Sequence, residues 1–341
     1  MTAAKPIIAI VPGDCTGIGP EQTARLLSER RARDVARLIY VGDIRVLKLG
    51  MRQARVDVRY RLVETPQQAD WDDTESVPAI DLGNIDPALL PPGISSPESG
   101  RLTGDTLAAA IQFAKAGQID AVTFAPLNKQ ALYKGGWQFP DEHKMFAHLL
   151  EHKGLFSEMN VLDNQWMTRA TSHVSLREAV QQISFERICD ALRLSNDTMR
   201  KAGIEKPRIA VAALNPHAGE GGLFGREEIE IIAPAVKAMA QQGIDCKGPF
   251  PCDTIYIKAF AGDYDSVLSM YHDQGQIATK LKGFNKGVTI TAGLEIVFTT
   301  PSHGTAFDIV GKGIADIGAY EAAIRLAARI AARKGFEARA A

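Results

Sequence analysis

The chain has 341 residues, of which 45% are hydrophobic and 23% are charged, the composition of an ordinary soluble globular protein. This length suits two α/β lobes, or one lobe with insertions, better than a single minimal core. The 39 Lys and Arg residues nearly balance the 40 Asp and Glu residues, which argues against nucleic acid or an anionic membrane as a partner. No run of residues approaches the roughly 20 apolar positions of a membrane span.

The cysteines are typical of a reducing compartment. Cys15, Cys189, Cys246 and Cys252 form no CxxC pair, and scattered cysteines of this kind favour free thiols over a disulfide scaffold or a zinc ribbon. The apolar run near the N-terminus is interrupted by Pro and Asp, so it resembles a first strand rather than a signal peptide. We therefore expect a cytoplasmic protein.

Short β-branched runs alternate with longer helical stretches along the chain. Strands are predicted at Ile7–Val11, 38–41, Ala121–Phe124 and 208–212. Helices are predicted at 21–36, 106–116, 184–202 and 227–242, followed by a threonine-rich strand segment at 283–299 and an amphipathic helix at 320–334. This alternation predicts an α/β fold with a mainly parallel sheet. We expect the chain to leave its first lobe near residue 130 and to return to it near residue 290.

Three histidines follow strand-like runs, where parallel sheets place their ligands. They are His173 in TSHVSL, His217 in NPHAGEGG and His272 in YHDQG. Three imidazoles from separate loops can bind Zn²⁺ or a similar ion and leave one position open for substrate. The long spacings fit no local metal motif, so hydrogen-bonded structural histidines remain an alternative.

A second histidine group competes with the first. His143, His148 and His152 lie in HKMFAHLLEH, and the last two stand four residues apart, on one face of a helix. The segment lacks the glutamate of HExxH, and its apolar positions fit a helix that faces the core. We therefore expect an ordinary helix face here.

Two glycine-rich segments could contact a phosphate-bearing cofactor. The first contains Gly13, Gly17 and Gly19 but does not match the GxGxxG pattern of a Rossmann fold. The second, HGTAFDIVGKG at 303–313, has small residues that permit close backbone approach and Asp308 as a hydrogen-bond acceptor. Tight turns that need a positive φ are the alternative for both segments. No GxxxxGK[ST] sequence is present, which argues against a P-loop kinase.

Seven motifs together resemble the 4-hydroxythreonine-4-phosphate dehydrogenase (PdxA) family. They run in the family's order over about nine-tenths of the chain: GDCTGIGPE, PLNKQAL, TSHVSL, LNPHAGEGGLFGREE, CDT, YHDQGQIATK and HGTAFDIVGKG. The resemblance implies a two-lobed fold similar to isocitrate and isopropylmalate dehydrogenases, with mainly parallel sheets and an NAD site that is not a Rossmann fold. It also implies a homodimer whose active cleft is completed by the partner subunit.

The resemblance implies a division of labour between the lobes. Residues 1–130 and 290–341 would bind NAD, and residues 131–289 would carry the metal site, the substrate site and the dimer contacts. The metal would be one divalent ion, with zinc favoured over magnesium, manganese or cobalt, held by His173, His217 and His272 with one of the three donated by the partner subunit. The NAD site would use Gly13, Gly17 and Gly19 with His303, Gly304, Thr305, Ala306 and Asp308.

The resemblance also implies substrate contacts. Lys280 and His143 match substrate-contacting residues of the family, and Asp253 matches an acid near the metal; Lys280 and Asp253 are the predicted catalytic residues. At three substrate positions this chain departs from the family: Lys144 replaces Thr, Thr289 replaces Asn and Phe298 replaces Arg. Losing the bidentate guanidinium removes a strong anion contact, and a phenylalanine there would form an apolar wall.

These features predict NAD-dependent, metal-assisted oxidation of a β-hydroxy acid, followed by decarboxylation. The apolar wall favours a substrate without phosphate, such as an aromatic cis-dihydrodiol carboxylate of the terephthalate type. The alternatives are 4-hydroxythreonine 4-phosphate, as in vitamin B6 synthesis, and a four-carbon sugar-acid phosphate, for which Lys144 could bind the anion. A non-catalytic metabolite-binding protein is an alternative of a different class.

Overall fold

The computed structural model describes residues 5–283 and 286–340. Its strands are β1 (Ile7–Val11), β2 (Arg37–Gly42), β3 (Tyr60–Leu62), β4 (Val77–Asp81), β5 (Ala121–Phe124), β6 (Ser157–Leu162), β7 (Gln165–Arg169), β8 (Ile209–Ala212), β9 (Cys246–Phe250), β10 (Ser266–Ser269), β11 (Val288–Ala292) and β12 (Val297–Pro301). Its α-helices are α1 (Gly19–Glu29), α2 (Ile44–Ala54), α3 (Pro97–Lys115), α4 (Lys129–Lys134), α5 (Glu142–Leu149), α6 (Leu176–Gln182), α7 (Phe185–Lys201), α8 (Ala233–Gln241), α9 (Cys252–Phe260), α10 (His272–Gly283) and α11 (Gly318–Ala340).

The chain divides into two compact units: the first is Met1–Gly154 with Val288–Ala341, and the second is Leu155–Gly287. The chain therefore enters the second unit after residue 154 rather than near residue 130, and returns close to the predicted residue 290. A boundary near residue 130 is too early, because α4 and α5 belong to the first unit. Leu132 of α4 and Met145 and Phe146 of α5 belong to the hydrophobic core of the first unit, which holds both helices there.

The first unit has the strand order β3-β4-β2-β1-β5-β12-β11. All described pairs in it are parallel except the β11–β12 hairpin. Strands β1 and β5 are buried along nearly their whole length, as expected for parallel strands covered on both faces. The predicted α/β fold with mainly parallel strands is confirmed.

The second unit has the strand order β6-β7-β10-β8-β9. Strand β6 is antiparallel to β7, and the pairs β7–β10, β10–β8 and β8–β9 are parallel. Its core includes Met167 of β7, Val267 of β10 and Ile255 of α9. This order makes β7, β10 and β8 direct neighbours, which matters for the histidines that follow them.

Several element bounds differ from the sequence predictions for local reasons. Helix α1 ends at Glu29 rather than residue 36 because Arg30 adopts a left-handed conformation, with φ 59°, a common way for a helix to end. Helix α3 begins at Pro97, well before residue 106, because Ser96 and Ser99 form a capping box. The predicted strand segment 283–299 contains β11 and most of β12, and its residues 284 and 285 lie outside the described residues.

Among the residues that are described, none of the helices combines the length and the apolar character needed to cross a bilayer.

Candidate active site

The three predicted metal ligands follow three neighbouring strands of the second unit. His173 lies in the loop after β7, His217 lies in the loop after β8, and His272 is the first residue of α10, after β10. Because β10 pairs in parallel with both β7 and β8, the carboxyl ends of these strands lie at one edge of the sheet. Ligands bind at this edge in open α/β sheets.

His173 and His272 come together at this edge. Their ring centroids are 5.5 Å apart, close to the roughly 5 Å expected for two imidazoles on one ion with tetrahedral angles and metal–nitrogen distances of about 2.1 Å. The rings line a cavity of about 190 Å³ together with Thr171, Tyr271 and Asp273. Their side chains are 30% and 34% exposed, so both can be reached from solution.

The environment of His272 favours the form of the ring that binds a metal. Burial lowers the pKa of His272, and its hydrogen bond to Asp273 only partly opposes this effect. Its Nδ1 lies 2.7 Å from Asp273 Oδ1, so the neutral ring donates a hydrogen bond from Nδ1–H to the carboxylate, and Nε2 keeps its lone pair. A carboxylate that orients a metal-binding imidazole in this way is common in metal sites.

His217 sits on a loop with an unusual backbone. It is exposed, and residues 217–221 all have positive φ, beginning with 52° at His217. Glu228 organises the loop, since its Oε1 accepts hydrogen bonds of 2.8 Å from the backbone N–H groups of both Leu214 and Asn215. Within residues 5–283 and 286–340, no group of three or more His, Cys, Asp or Glu side chains is arranged to hold a metal ion. The single chain therefore brings together two of the three predicted ligands, and His217 is apart from them.

The two predicted catalytic residues are both exposed on helices of the second unit. Asp253 lies in the first turn of α9. Lys280 lies on α10, which begins with His272. Lys280 and His272 are about two turns, or about 12 Å, apart along α10, so these two residues belong to one rigid element.

In the first unit, His143 is buried on α5 and held by polar contacts. It is 4% exposed, and its Nδ1 forms a 2.6 Å hydrogen bond with Thr291 Oγ1. Its Nε2 lies 3.7 Å from Glu142 Oε1, and Glu142 also pairs with Lys129 at 3.2 Å. Lys144, the next residue, is exposed, so its ammonium group is available to an anion.

The structure does not support the predicted apolar wall. Phe298 is 1% exposed and lies in the core of the first unit, where its ring stacks on Phe146 with centroids 4.3 Å apart. Thr289 is also buried, at 7% exposed, and its hydroxyl hydrogen-bonds to Ser302 Oγ at 2.9 Å. The substitution at 298 therefore extends the core, and the sequence pattern could not distinguish this from an exposed pocket wall.

This placement predicts a stability effect at Phe298. We expect Phe298→Ala to lower the free energy of unfolding by about 3–5 kcal/mol, because it removes a fully buried ring and leaves a cavity against Phe146. Chemical denaturation of the purified protein measures this change, and Phe298→Leu, which keeps more of the volume, should be clearly milder. A loss below about 1 kcal/mol in Phe298→Ala would contradict the assignment of this ring to the core.

The two glycine-rich segments meet in the first unit. The backbone N–H of Ile18 donates to Thr305 O at 3.1 Å, and a Cβ on Gly17 would lie only 2.9 Å from the Thr305 side chain. At the start of α1, Glu21 accepts a hydrogen bond of 2.8 Å from the backbone of Ala315, and Gln22 contacts His303 Nε2 at 3.2 Å. The first segment thus supports the second.

The segments differ in how open they are. Gly13, Gly17 and Gly19 are buried, and a Cβ on Gly13, which has φ 67°, would lie 2.3 Å from the Ala125 carbonyl. These glycines allow close packing of the chain on itself, as in the tight-turn alternative, rather than opening toward a ligand. Gly304 and Asp308 are exposed and His303 and Ala306 are partly exposed, whereas Thr305 is buried, so the second segment is the part that a cofactor can reach.

The competing histidine group does not form a site. His143 is buried and bonded to Thr291, whereas His148 is exposed and its ring lies 5.1 Å from that of Phe139. Helix α5 ends at Leu149, so His152 lies beyond it. The prediction of an ordinary helix face shared by His148 and His152 therefore holds for His148 and is wrong for His152, which lies beyond the end of the helix.

Sequence reasoning missed the residues that support these sites. Glu21, Gln22 and Glu228 are almost fully buried, at 0%, 0% and 3% exposed. Acidic residues near the start of a helix are usually solvent-exposed and interact with the helix dipole, so their local pattern gives no sign of burial. Their position next to glycine-rich motifs is the one signal that could have singled them out.

Known proteins support an oxidoreductase. A Pseudomonas aeruginosa protein named "Putative 4-hydroxythreonine-4-phosphate dehydrogenase 2" is 44% identical over 334 residues, covering 96% of this chain and 98% of that protein. A D-threonate 4-phosphate dehydrogenase from Cupriavidus necator is 39% identical over 330 residues, with 96% and 98% covered. Both are named dehydrogenases, which confirms the prediction of an enzyme of this class over a non-catalytic binding protein.

Solved structures of similar proteins also include dehydrogenases, and their names bear on the predicted substrate. A 4-hydroxythreonine-4-phosphate dehydrogenase from Klebsiella pneumoniae is 36% identical with a TM-score of 0.82, covering 97% of this chain and 99% of that one. A terephthalate 1,2-cis-dihydrodiol dehydrogenase from Burkholderia xenovorans is only 27% identical, with a TM-score of 0.65 and 95% and 98% covered. The more similar proteins are named for 4-phosphate substrates, so the predicted preference for a non-phosphorylated aromatic acid is not supported.

The family comparison covers most of the chain. A sequence model of the family described as "Pyridoxal phosphate biosynthetic protein PdxA" matches residues 34–327. This range contains the proposed metal ligands, the predicted substrate contacts and the 303–313 segment. Together with the relatives above, the match confirms the resemblance carried by the motifs: this chain belongs to the PdxA family.

Proposed function

We propose that this protein is an NAD-dependent, divalent-metal-assisted dehydrogenase that oxidises a four-carbon β-hydroxy acid 4-phosphate and promotes loss of its carboxylate. The observation that carries the metal part is the pairing of His173 and His272 at 5.5 Å, beyond neighbouring parallel strands. The names of the relatives, 4-hydroxythreonine-4-phosphate and D-threonate 4-phosphate dehydrogenase, support the phosphorylated substrate.

The donor set fits a borderline-soft divalent ion. His173, His217 and His272 would hold it, with one of them supplied by the partner subunit, and ligands that are all imidazole favour zinc, although cobalt or manganese would also bind. When bound, such an ion supplies a Lewis acid that lowers the pKa of the substrate hydroxyl and stabilises negative charge as carbon dioxide leaves. Asp273 keeps the proton on Nδ1 of His272, which leaves Nε2 available to the ion.

The 303–313 segment is the proposed NAD site. Gly304 is exposed, and a Cβ added there would meet nothing within 4 Å, so a ligand can approach this backbone closely. Asp308 is exposed and can accept hydrogen bonds from a ribose. NAD, when bound, supplies the hydride acceptor. Gly17 packs directly against Thr305 and so supports this segment.

Charged side chains of the chain would orient the substrate. Lys144 is exposed beside His143 and is the proposed phosphate contact in place of the missing arginine. Lys280, exposed on the helix that begins with His272, would pair with the substrate carboxylate. In a substrate with the hydroxyl β to the carboxylate, oxidation gives a β-keto acid. Loss of carbon dioxide then leaves a three-carbon ketone phosphate, which carries a hydroxyl group if the substrate is D-threonate 4-phosphate and an amino group if it is 4-hydroxythreonine 4-phosphate.

A substrate comparison tests this function. We expect the zinc-loaded enzyme to reduce NAD with D-threonate 4-phosphate or 4-hydroxythreonine 4-phosphate at a kcat/KM above about 10⁴ M⁻¹s⁻¹, within the usual range for a natural substrate. The same enzyme should be slower by two or more powers of ten with a terephthalate-type cis-dihydrodiol. A higher kcat/KM with the cis-dihydrodiol than with either 4-phosphate would contradict the proposed phosphorylated substrate.

We also propose a cytoplasmic homodimer. All four cysteines are free thiols, which suits a reducing compartment. Large apolar side chains are exposed on the second unit near the histidine loops and on α10: Leu176, Leu223, Phe224, Ile277 and Leu281. Exposed apolar side chains of this kind are typical of a surface that another copy of the chain covers.

Subunit mixing tests whether two copies share one site. We expect inactive His217→Ala and His173→Ala subunits to regain activity after exchange, up to about a quarter of wild type, because half of the dimers are then mixed and each contains one intact site. His173→Ala mixed with His272→Ala should stay inactive, since those two ligands lie together in one chain. NADH formation after exchange measures the recovery. Proven exchange of His217→Ala with His173→Ala subunits without any recovery would place His217 and His173 in the same subunit's site and contradict a site shared by two copies.

A further inference from the structure

A buried polar cluster lies beside the histidine pair in the second unit. Glu158 on β6 and Arg169 at the end of β7 have side chains that are only 9% and 3% exposed, with 3.3 Å between Arg169 Nη2 and Glu158 Oε1. Asn160 accepts a hydrogen bond from Arg169 Nη2 and donates one of 3.2 Å from its Nδ2 to Glu158 Oε1. The side-chain amide of Gln276 on α10 contacts Asn160 at 2.8 Å. Burying an ion pair carries a large desolvation cost, so the presence of this pair beside the histidines needs an explanation.

The two oxygens of Glu158 face different groups. Oε1 is held by Arg169 and Asn160, whereas Oε2 lies 3.5 Å from His173 Nε2. The carboxylate therefore links a rigid, buried cluster to the ring of a proposed metal ligand. His173 itself has a φ of 47°, a left-handed conformation that is uncommon for residues other than glycine, so its surroundings must stabilise this backbone conformation.

We propose that Glu158 is the positioning residue for His173, and that Arg169, Asn160 and Gln276 form the frame that fixes Glu158. This inference rests on the proposed metal site. The carboxylate keeps the proton on Nε2 of His173, which assigns Nδ1 as the nitrogen that binds the ion. His272 has the opposite arrangement, because Asp273 holds its Nδ1. Each ring of the pair thus has its own carboxylate, and that of His173 is much less exposed, at 9% for Glu158 against 75% for Asp273.

The test measures metal affinity without turnover. Zn²⁺ is titrated into the metal-free full-length protein in competition with a chromogenic chelator. We expect Glu158→Gln to bind Zn²⁺ about 10–100-fold more weakly than wild type, the usual effect of losing a carboxylate that orients a metal-binding histidine. Glu230→Gln is the matched control: this glutamate of the same unit is 56% exposed and pairs with Arg226, and its loss should leave the affinity within about twofold of wild type.

A double variant separates positioning from folding. Glu158→Leu with Arg169→Leu removes the buried ion pair as a whole, a change that often leaves stability intact or raises it. We expect this variant to fold but still to bind Zn²⁺ about 10–100-fold more weakly, because His173 has lost its carboxylate. The electronic absorption of bound Co²⁺ should also differ from wild type in both variants.

The outcomes distinguish this inference from the function on which it rests. Wild-type affinity in Glu158→Gln, or recovery of that affinity in the double variant, overturns the positioning role and leaves the metal site standing. A wild-type protein that binds no Zn²⁺ or Co²⁺ overturns both. Weak binding in both Glu158 variants with normal binding in Glu230→Gln supports the proposal.

Discussion

Replacing His217 with alanine is expected to remove most of one equivalent of bound metal and to lower kcat/KM by about three powers of ten. The metal as a Lewis acid accounts for several kcal/mol of transition-state stabilisation, and each 1.4 kcal/mol corresponds to a tenfold change in rate. His217 is the most informative ligand to replace, because it is the one that the single chain does not bring close to His173 and His272. Elemental analysis of the purified variant and initial rates of NADH formation measure the two effects.

His148→Ala is the control for this experiment, since His148 is exposed on α5 and is not a proposed ligand. It should keep both its metal and its activity. Full metal occupancy in His217→Ala would remove His217 from the site and leave the His173–His272 pair in need of another ligand.

The second large effect is expected at Lys144. Changing it to methionine should lower kcat/KM for a 4-phosphate substrate by about one to two powers of ten, since a charge-assisted hydrogen bond contributes roughly 1.5–3 kcal/mol. The loss should appear mainly as a higher KM if the phosphate is bound equally in the ground state and the transition state. Steady-state kinetics with a phosphorylated substrate and its phosphate-free counterpart measure the change.

Lys134→Met is the matched control, because this lysine is exposed in the last turn of α4 in the same unit. Its kinetics should match those of the wild type. If Lys144→Met leaves the phosphorylated substrate unaffected, then the phosphate is held elsewhere and Lys144 is an ordinary surface residue.

The sequence pattern was sufficient for the class of fold and for the position of the histidines. Strands β1 and β5 have the bounds that their β-branched runs predict, because buried parallel strands read as short continuous apolar segments. The order of the strands in the sheet could not be read from the sequence. Only the structure shows that β7, β10 and β8 are adjacent and that a histidine follows each of them.

Long-range packing explains what the sequence could not predict. The resemblance implies that Phe298 lies at a substrate position, and only its burial and its stacking on Phe146 show that it belongs to the core. Helix α5 lies beyond the lobe boundary predicted near residue 130, and α4 spans it, but apolar residues of both helices pack into the core of the first unit. Glu158 and Arg169 are charged residues on strands, which usually face solvent, and their burial depends on partners from three different elements.

The balance of products tests the central claim most directly. With the zinc-loaded enzyme, NAD and D-threonate 4-phosphate, NADH and carbon dioxide are measured together as the reaction proceeds. We expect one carbon dioxide for each NADH, and neither product after the metal is removed with a chelator and before it is restored. NADH without carbon dioxide would contradict the decarboxylating step, and an undiminished rate in metal-free enzyme would contradict the role of the histidine site.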